Sequence, residues 1–325
     1  MSSTASSSPT STIPALQRSL PDTLGDLEIT DPHHHLWDLS ANYYPWLTDR
    51  ITPRVCGEYG AIRRNYLLED FRRDTAPLNV VRTIHVQAEH DRGDPVRETR
   101  WLQQVADRLE SDGVPHGIVA YADLSRDDAA AVLDAHAQAP NLRGIRQMLH
   151  ESLIDTQHPS SPSSTPLEHP TWWRNIGLLR KRGLSFDLQV YPQQMARALD
   201  LLRAYPDVQF VLCHTGQPVR RDPEGLEDWR RGMRLLAQAP NLAVKISGLG
   251  MFDRAWTVES LRPILLETID TFGAGRCCFA SNFPVDGMMA TYADLWRAYG
   301  AITAAFSPGE RAGLFSANAR RVYRV

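Results

Sequence analysis

Eight short runs of β-branched or aromatic residues, each separated from the next by a longer amphipathic segment, constrain the fold of this chain more than any other feature. The runs are Ile29 to Trp37, Thr83 to Ala88, Gly117 to Ala122, Leu142 to Leu149, Leu184 to Tyr191, Gln209 to Gly216, Leu242 to Gly248 and Arg276 to Phe283. Helix signals lie between them: Pro95 behind Asp94, Ser125 ahead of an Ala-rich stretch, Gly183 closing a Trp-rich one, and Ser307-Pro308-Gly309-Glu310 as a capping box. Alternation of this kind means parallel strands joined by crossover helices. The junctions repeat too, because AQAPNL stands at both Ala137 to Leu142 and Ala237 to Leu242. Eight such units in about 300 residues predict a (β/α)8 TIM barrel. A doubly wound sheet usually has fewer strands and a Gly-rich phosphate loop, and neither GxGxxG nor a P-loop is present.

The 325 residues hold 35 Lys plus Arg against 38 Asp plus Glu, a formal net charge of -3 with no sustained basic stripe. That excludes nucleic acid and an anionic membrane surface as main partners. No apolar stretch reaches the length of a membrane span, and residues 1–20 contain no signal-peptide core. Cys56, Cys213, Cys277 and Cys278 form no CxxC pair, which fits a reducing cytoplasm. Residues 1–25 read as a disordered Ser/Thr/Pro-rich tail and 26–325 as one barrel domain; a homo-oligomer is compatible with this composition.

Reacting groups of such a barrel sit at the C-terminal ends of its strands, on residues that alternate between helices and interior. If the apolar phase faces the helices, Ile84, Val86 and Ala88 point out and His85, Gln87 and Glu89 point in. By the same rule Arg146, Asp187, Gln189, Tyr191, Lys245 and Ser247 point in, while Cys213, beside His214, points out as filler. So polar a mouth is costly to bury without a ligand, and therefore predicts a functional site. In the first run, ITDPHHHLWD, residues two apart share a face, so His33 and His35 project together and His34 points away. Two imidazoles so placed can share a metal ion, and His214 ends another strand.

These residues resemble a known family. Asp31-Pro32-His33-His34-His35-Leu36-Trp37-Asp38 is similar to the DxHxHxWD opening of the amidohydrolase superfamily, in its branch of TIM-barrel hydrolases and lactonases. Tyr44-Pro45-Trp46-Leu47, Arg143-Gly144-Ile145-Arg146, His214-Thr215-Gly216-Gln217-Pro218, Val244 to Leu249 and Ala280 to Val285 agree with the same pattern. The resemblance implies a divalent metal, Zn²⁺ above all, on His33, His35 and His214, or hydrogen bonds from these rings to substrate in metal-free members. It also implies Arg146 on a substrate carboxylate, with Lys245 as a second anion contact or as an internal ion pair with Glu89 or Asp187. Gln87, inward by phase, is expected to bind substrate at the mouth, and Tyr43, Tyr44 and Trp46, in the loop after strand one, offer aromatic walls for a ring-shaped one. The implied reaction is hydrolysis of a cyclic ester, a lactone of a sugar acid or aromatic-degradation intermediate carrying a carboxylate. Its rivals are a metal-dependent decarboxylase and a barrel that binds a small acid without turnover.

One position departs from the pattern. The family's strand-eight motif GSDWP carries an Asp as metal ligand and base, whereas this chain has Asn282, whose amide cannot accept a proton at neutral pH. Asp286, four residues on, is expected to fold back over the site and supply the carboxylate, or His214 to act as base. The loop from Asp155 to Pro170, rich in Ser and Pro, is expected to form a lid.

Overall fold

The computed structural model describes residues 20, 22–149 and 166–325. Of the expected tail, residues 1–19 and 21 fall outside that range, as do residues 155–165 of the expected lid. The eight strands are β1 (Ile29–His34), β2 (Val80–Val86), β3 (Gly117–Ala120), β4 (Leu142–Met148), β5 (Ser185–Gln189), β6 (Phe210–Leu212), β7 (Leu242–Ile246) and β8 (Cys277–Phe279). They form one sheet in chain order, every pair parallel. The ring closes where the Asn282 N–H donates to the His33 carbonyl and the His35 N–H to the Phe283 carbonyl, both at 2.7 Å. This is the expected (β/α)8 TIM barrel.

Helices α1 (Pro45–Thr48), α2 (Leu68–Thr75), α3 (Pro95–Ala106), α4 (Ala129–His136), α5 (Pro170–Lys181), α6 (Met195–Ala204), α7 (Pro223–Leu236), α8 (Val258–Phe272) and α9 (Tyr292–Ile302) follow the strands, with α10 (Pro308–Ala312) and α11 (Asn318–Tyr323) at the end. Their starts follow local chemistry. Asp222 accepts the Gly225 N–H at 2.8 Å, and Ser307 and Glu310 form the expected reciprocal capping box. Ser125 does not open a helix; it is held by Asp123, and α4 begins at Ala129.

The main core lies between strands and helices, where Ile145, Phe186, Leu188, Val244 and Ile246 meet Trp172, Trp229 and Trp296. A second cluster fills the barrel itself: Ile84, Val86, Val119, Val211 and Ala243, closed by Val322 and Tyr323 of the C-terminal segment. Ile84 and Val86 therefore face inward, opposite to the phase the sequence suggests. His85, in register with His34, lies on the helix side with it, and His34 stacks on Phe71 of α2 at 4.2 Å. The rule that the apolar phase faces the helices fails on β2 because the lower barrel interior is apolar as well.

Candidate active site

His33 and His35 follow the kinked Asp31-Pro32 step of β1, where register with β2 shifts. Asp31 fixes this step by accepting from the Ser281 N–H and hydroxyl and from the Tyr292 hydroxyl. Burial pushes its carboxyl up to about 6, which these donors partly offset. His214 reaches the same place by another route. It follows β6 with φ 52°, and Thr215 has φ 56°, so two consecutive left-handed residues turn the chain sharply. Cys213, expected to point out, points inward with Val211 two residues before it, its Sγ 3.9 Å from Asp187, so the turn is what aims His214 inward as well. Gly248, with φ +67°, passes so close to His214 that a Cβ there would sit 2.5 Å from the ring Nδ1.

The three rings converge as expected, with centroids 4.5 Å apart for His33 and His214 and 5.1 Å for His33 and His35. Burial, with Lys245 and His214 adding, holds His33 well below the usual imidazole range. Burial followed by Arg146 does the same to His35. Both rings are therefore neutral at pH 7, and their partners set their tautomers. His35 Nδ1 lies 2.7 Å from the Val86 carbonyl, which only accepts, so the proton is on Nδ1 and Nε2 carries the lone pair. His33 Nε2 lies 3.4 Å from a guanidinium nitrogen of Arg146, which only donates, so its proton is on Nδ1.

Arg146 is 4% exposed. Its hydrogen bonds among the described residues go to His33, Gln189 and the Gln87 carbonyl, none of them a carboxylate. Lys245 is placed differently. It lies one layer down, fully buried, 2.5 Å from Asp187, which also accepts from the Tyr323 hydroxyl at 2.8 Å. The internal ion pair with Asp187 is thus the arrangement present, and Lys245 does not line the cavity.

A cavity of about 110 Å³ opens at the mouth against His35, His214, Arg146, Gln189 and Asn282. Trp46 lines it, but Arg54 covers its ring at 4.7 Å. Tyr44 does not line it; this residue is fully buried, edge-on to His90. Gln87 is buried too, its side chain accepting from the Glu89 N–H. Residues not singled out from sequence but present in the wall are Arg54, Cys56, Met148, Gln217 and Met251. Arg54, Cys56 and Gln217 sit in loops, where strand periodicity gives no signal.

Asp286 does not fold over the mouth. It lies behind Asn282, whose amide donates to it at 3.0 Å, and burial pushes its carboxyl up to about 7. Asp286→Asn is therefore expected to leave turnover within about tenfold, whereas loss of a general base costs about 10² to 10⁴-fold. Stability separates the two forms. A folded pKa of about 7 against 3.8 unfolded means the native state binds the extra proton, so this group destabilises wild type progressively from pH 4 to 7. The variant's melting temperature should gain on wild type across that window and run parallel above it. A constant difference would show that burial does not raise this carboxyl, and a rate loss of the general-base size would restore Asp286 to catalysis.

The residues do not fit the divalent metal. Among the described residues no group of three or more His, Cys, Asp or Glu is arranged to hold one. The His33 lone pair faces Arg146 at 3.4 Å, the residue after strand eight is an amide, and the Arg146 guanidinium, with no carboxylate hydrogen-bonded to it among the described residues, would repel a cation.

A family model described as Amidohydrolase matches residues 30–325. An uncharacterized protein of Sinorhizobium fredii is 47% identical over 304 residues, covering 93% of this chain and all of that protein. The L-fucono-1,5-lactonase of Burkholderia ambifaria is 29% identical, over 91% of this chain and 95% of that protein. A crystal structure of an amidohydrolase from Burkholderia multivorans with bound Zn superposes with a TM-score of 0.74 at 23% identity, over 91% and 99% of the two chains.

Proposed function

We propose, on the premise that this chain belongs to the amidohydrolase family, that it hydrolyses a lactone to the corresponding hydroxy acid without a metal ion. The observation that carries this reading is the buried Arg146 guanidinium, with no carboxylate hydrogen-bonded to it among the described residues, beside the neutral His35 ring in the cavity wall and the neutral His33 ring behind it. A buried unpaired cation is costly, so its negative partner is to be sought in the substrate or in what the reaction generates. Similarity to proteins named L-fucono-1,5-lactonase along most of the chain supports the same reading.

In this mechanism the lactone carbonyl points its oxygen at Arg146. His214 takes one proton from water, while the His35 Nε2 lone pair accepts the other O–H and aims the oxygen. Attack forms a C–O bond and moves the carbonyl electron pair onto oxygen, where Arg146 stabilises it. Collapse breaks the ring C–O bond, and the leaving alkoxide takes the proton held by His214. The product carboxylic acid releases its remaining proton through the His35 Nε2 lone pair to solvent, and the carboxylate so formed rests on Arg146. Lys245 is committed to Asp187, so this one guanidinium serves the reacting ester and does not need a second carboxylate on the substrate.

The test is a panel of sugar-derived and aromatic-derived lactones, followed by acid release, before and after treatment with chelator. Expected is hydrolysis of at least one lactone at a rate that neither chelator nor added Zn²⁺ changes. Loss of the rate on chelation, restored by Zn²⁺, would overturn the metal-free part. CO₂ release from a hydroxybenzoate with an inert lactone panel would replace hydrolysis by decarboxylation, and calorimetric binding without turnover would leave a binder.

A further inference from the structure

One ion pair in the cavity wall is unused by this mechanism. Glu89 follows β2 with φ 57°, a left-handed conformation costly for a residue with a Cβ, and its N–H is tied to the Gln87 side chain at 2.7 Å. Arg54 grips both carboxylate oxygens, at 3.0 and 3.1 Å, while its guanidinium lies over Trp46. The two side chains keep only 15% and 18% of their exposure, and both line the cavity that holds Arg146, His35 and His214. Burial pushes the Glu89 carboxyl up, but Arg54 more than reverses this and holds it at about 2. It is an ionised acceptor at every working pH.

From this geometry, and resting on the lactone reading above, we infer that the Arg54–Glu89 pair reads hydroxyl groups on the lactone ring and selects polyhydroxylated lactones over aromatic or carboxylated ones. A carboxylate offers about four lone-pair sites and Arg54 occupies two of them, which leaves two for neighbouring hydroxyls. Bonds of that kind are charge-assisted. An aromatic lactone would bury the carboxylate with nothing to donate to it, and a substrate carboxylate would meet like charge. Gln189 and Gln217 add neutral hydrogen-bonding groups on the same wall.

A purely structural pair, holding the loop after β1 against β2, would affect all substrates alike, so the decisive quantity is a ratio. We take kcat/KM for a hydroxylated δ-lactone over that for its deoxy analogue, in wild type and in Glu89→Gln. The ratio should fall about 10 to 100-fold in the variant, carried by KM, since sites built to bond a hydroxyl discriminate strongly against its absence. Equal losses on both lactones, or an unchanged ratio, would overturn the assignment. If Glu89→Gln melts early, the double variant Arg54→Met/Glu89→Gln removes both charges together and is read the same way. Should no lactone turn over, the hydrolysis reading fails separately. Calorimetry with a hydroxylated δ-lactam then decides: binding by wild type that is lost in Glu89→Gln supports the pair, and absence of binding by wild type, or equal binding by both, overturns it.

Discussion

Replacing Arg146 by Met is expected to lower kcat for lactone hydrolysis about 10² to 10³-fold, the usual loss when a donor to a developing oxyanion is removed. The effect should lie mainly in kcat, because the guanidinium meets its full partner only after the carbonyl electrons have moved onto oxygen. Stability should hold, since Met removes a buried charge that no carboxylate neutralises among the described residues and keeps most of the volume. Arg146→Lys sharpens the test. An ammonium retains the charge but cannot span the Gln87 carbonyl, Gln189 and His33 with one planar fork, so it should recover only part of the loss. Turnover by Arg146→Met at the parent rate would remove the guanidinium from the chemistry and with it the metal-free mechanism.

Much of this site was legible before any coordinates. The two-residue spacing of His33 and His35 sets them on one face, and His214 ends a strand at the same mouth, although a left-handed turn and not strand phase aims its ring inward. Arg146 is correctly read as inward. Periodicity reports a face but not a depth, and Lys245 shows the difference: it points inward, yet it lies a layer below the mouth, closed in an ion pair with Asp187. It also presumes a single apolar side. On β2 that presumption inverts the phase, because Ile84 and Val86 are needed to fill the lower barrel, and His85 is sent outward to His34. Loops carry no such rule. Asp286 is close to Asn282 in sequence, but its carboxylate turns back to the Asn282 amide and stays out of the cavity wall, whereas Arg54, thirty-five residues before Glu89, arrives from another loop to meet it.

His214 carries the other large expectation. As the group that takes and returns the proton, its replacement by Asn should cost about 10² to 10⁴-fold in kcat. The backbone supports this placement independently of the ring. Left-handed φ values at His214 and Thr215 cost free energy that helix or strand residues would not incur, and the fold retains them where they aim one side chain into the cavity. Ser247, 3.1 Å from Nδ1, then sets the ring's orientation from the opposite side. Gly248 gives a second way to ask the question without touching the imidazole. A methyl group there would fall 2.5 Å from Nδ1, in a backbone conformation already unfavourable for alanine, so Gly248→Ala must displace the ring. If His214 is the base, both variants should lose kcat by a similar factor, and combining them should cost little more than either alone, because residues acting through one proton transfer are not additive. Normal turnover by His214→Asn would pass the proton to the His35 lone pair. Additive losses would show that Gly248 acts on the barrel mouth at large and not through the ring it touches.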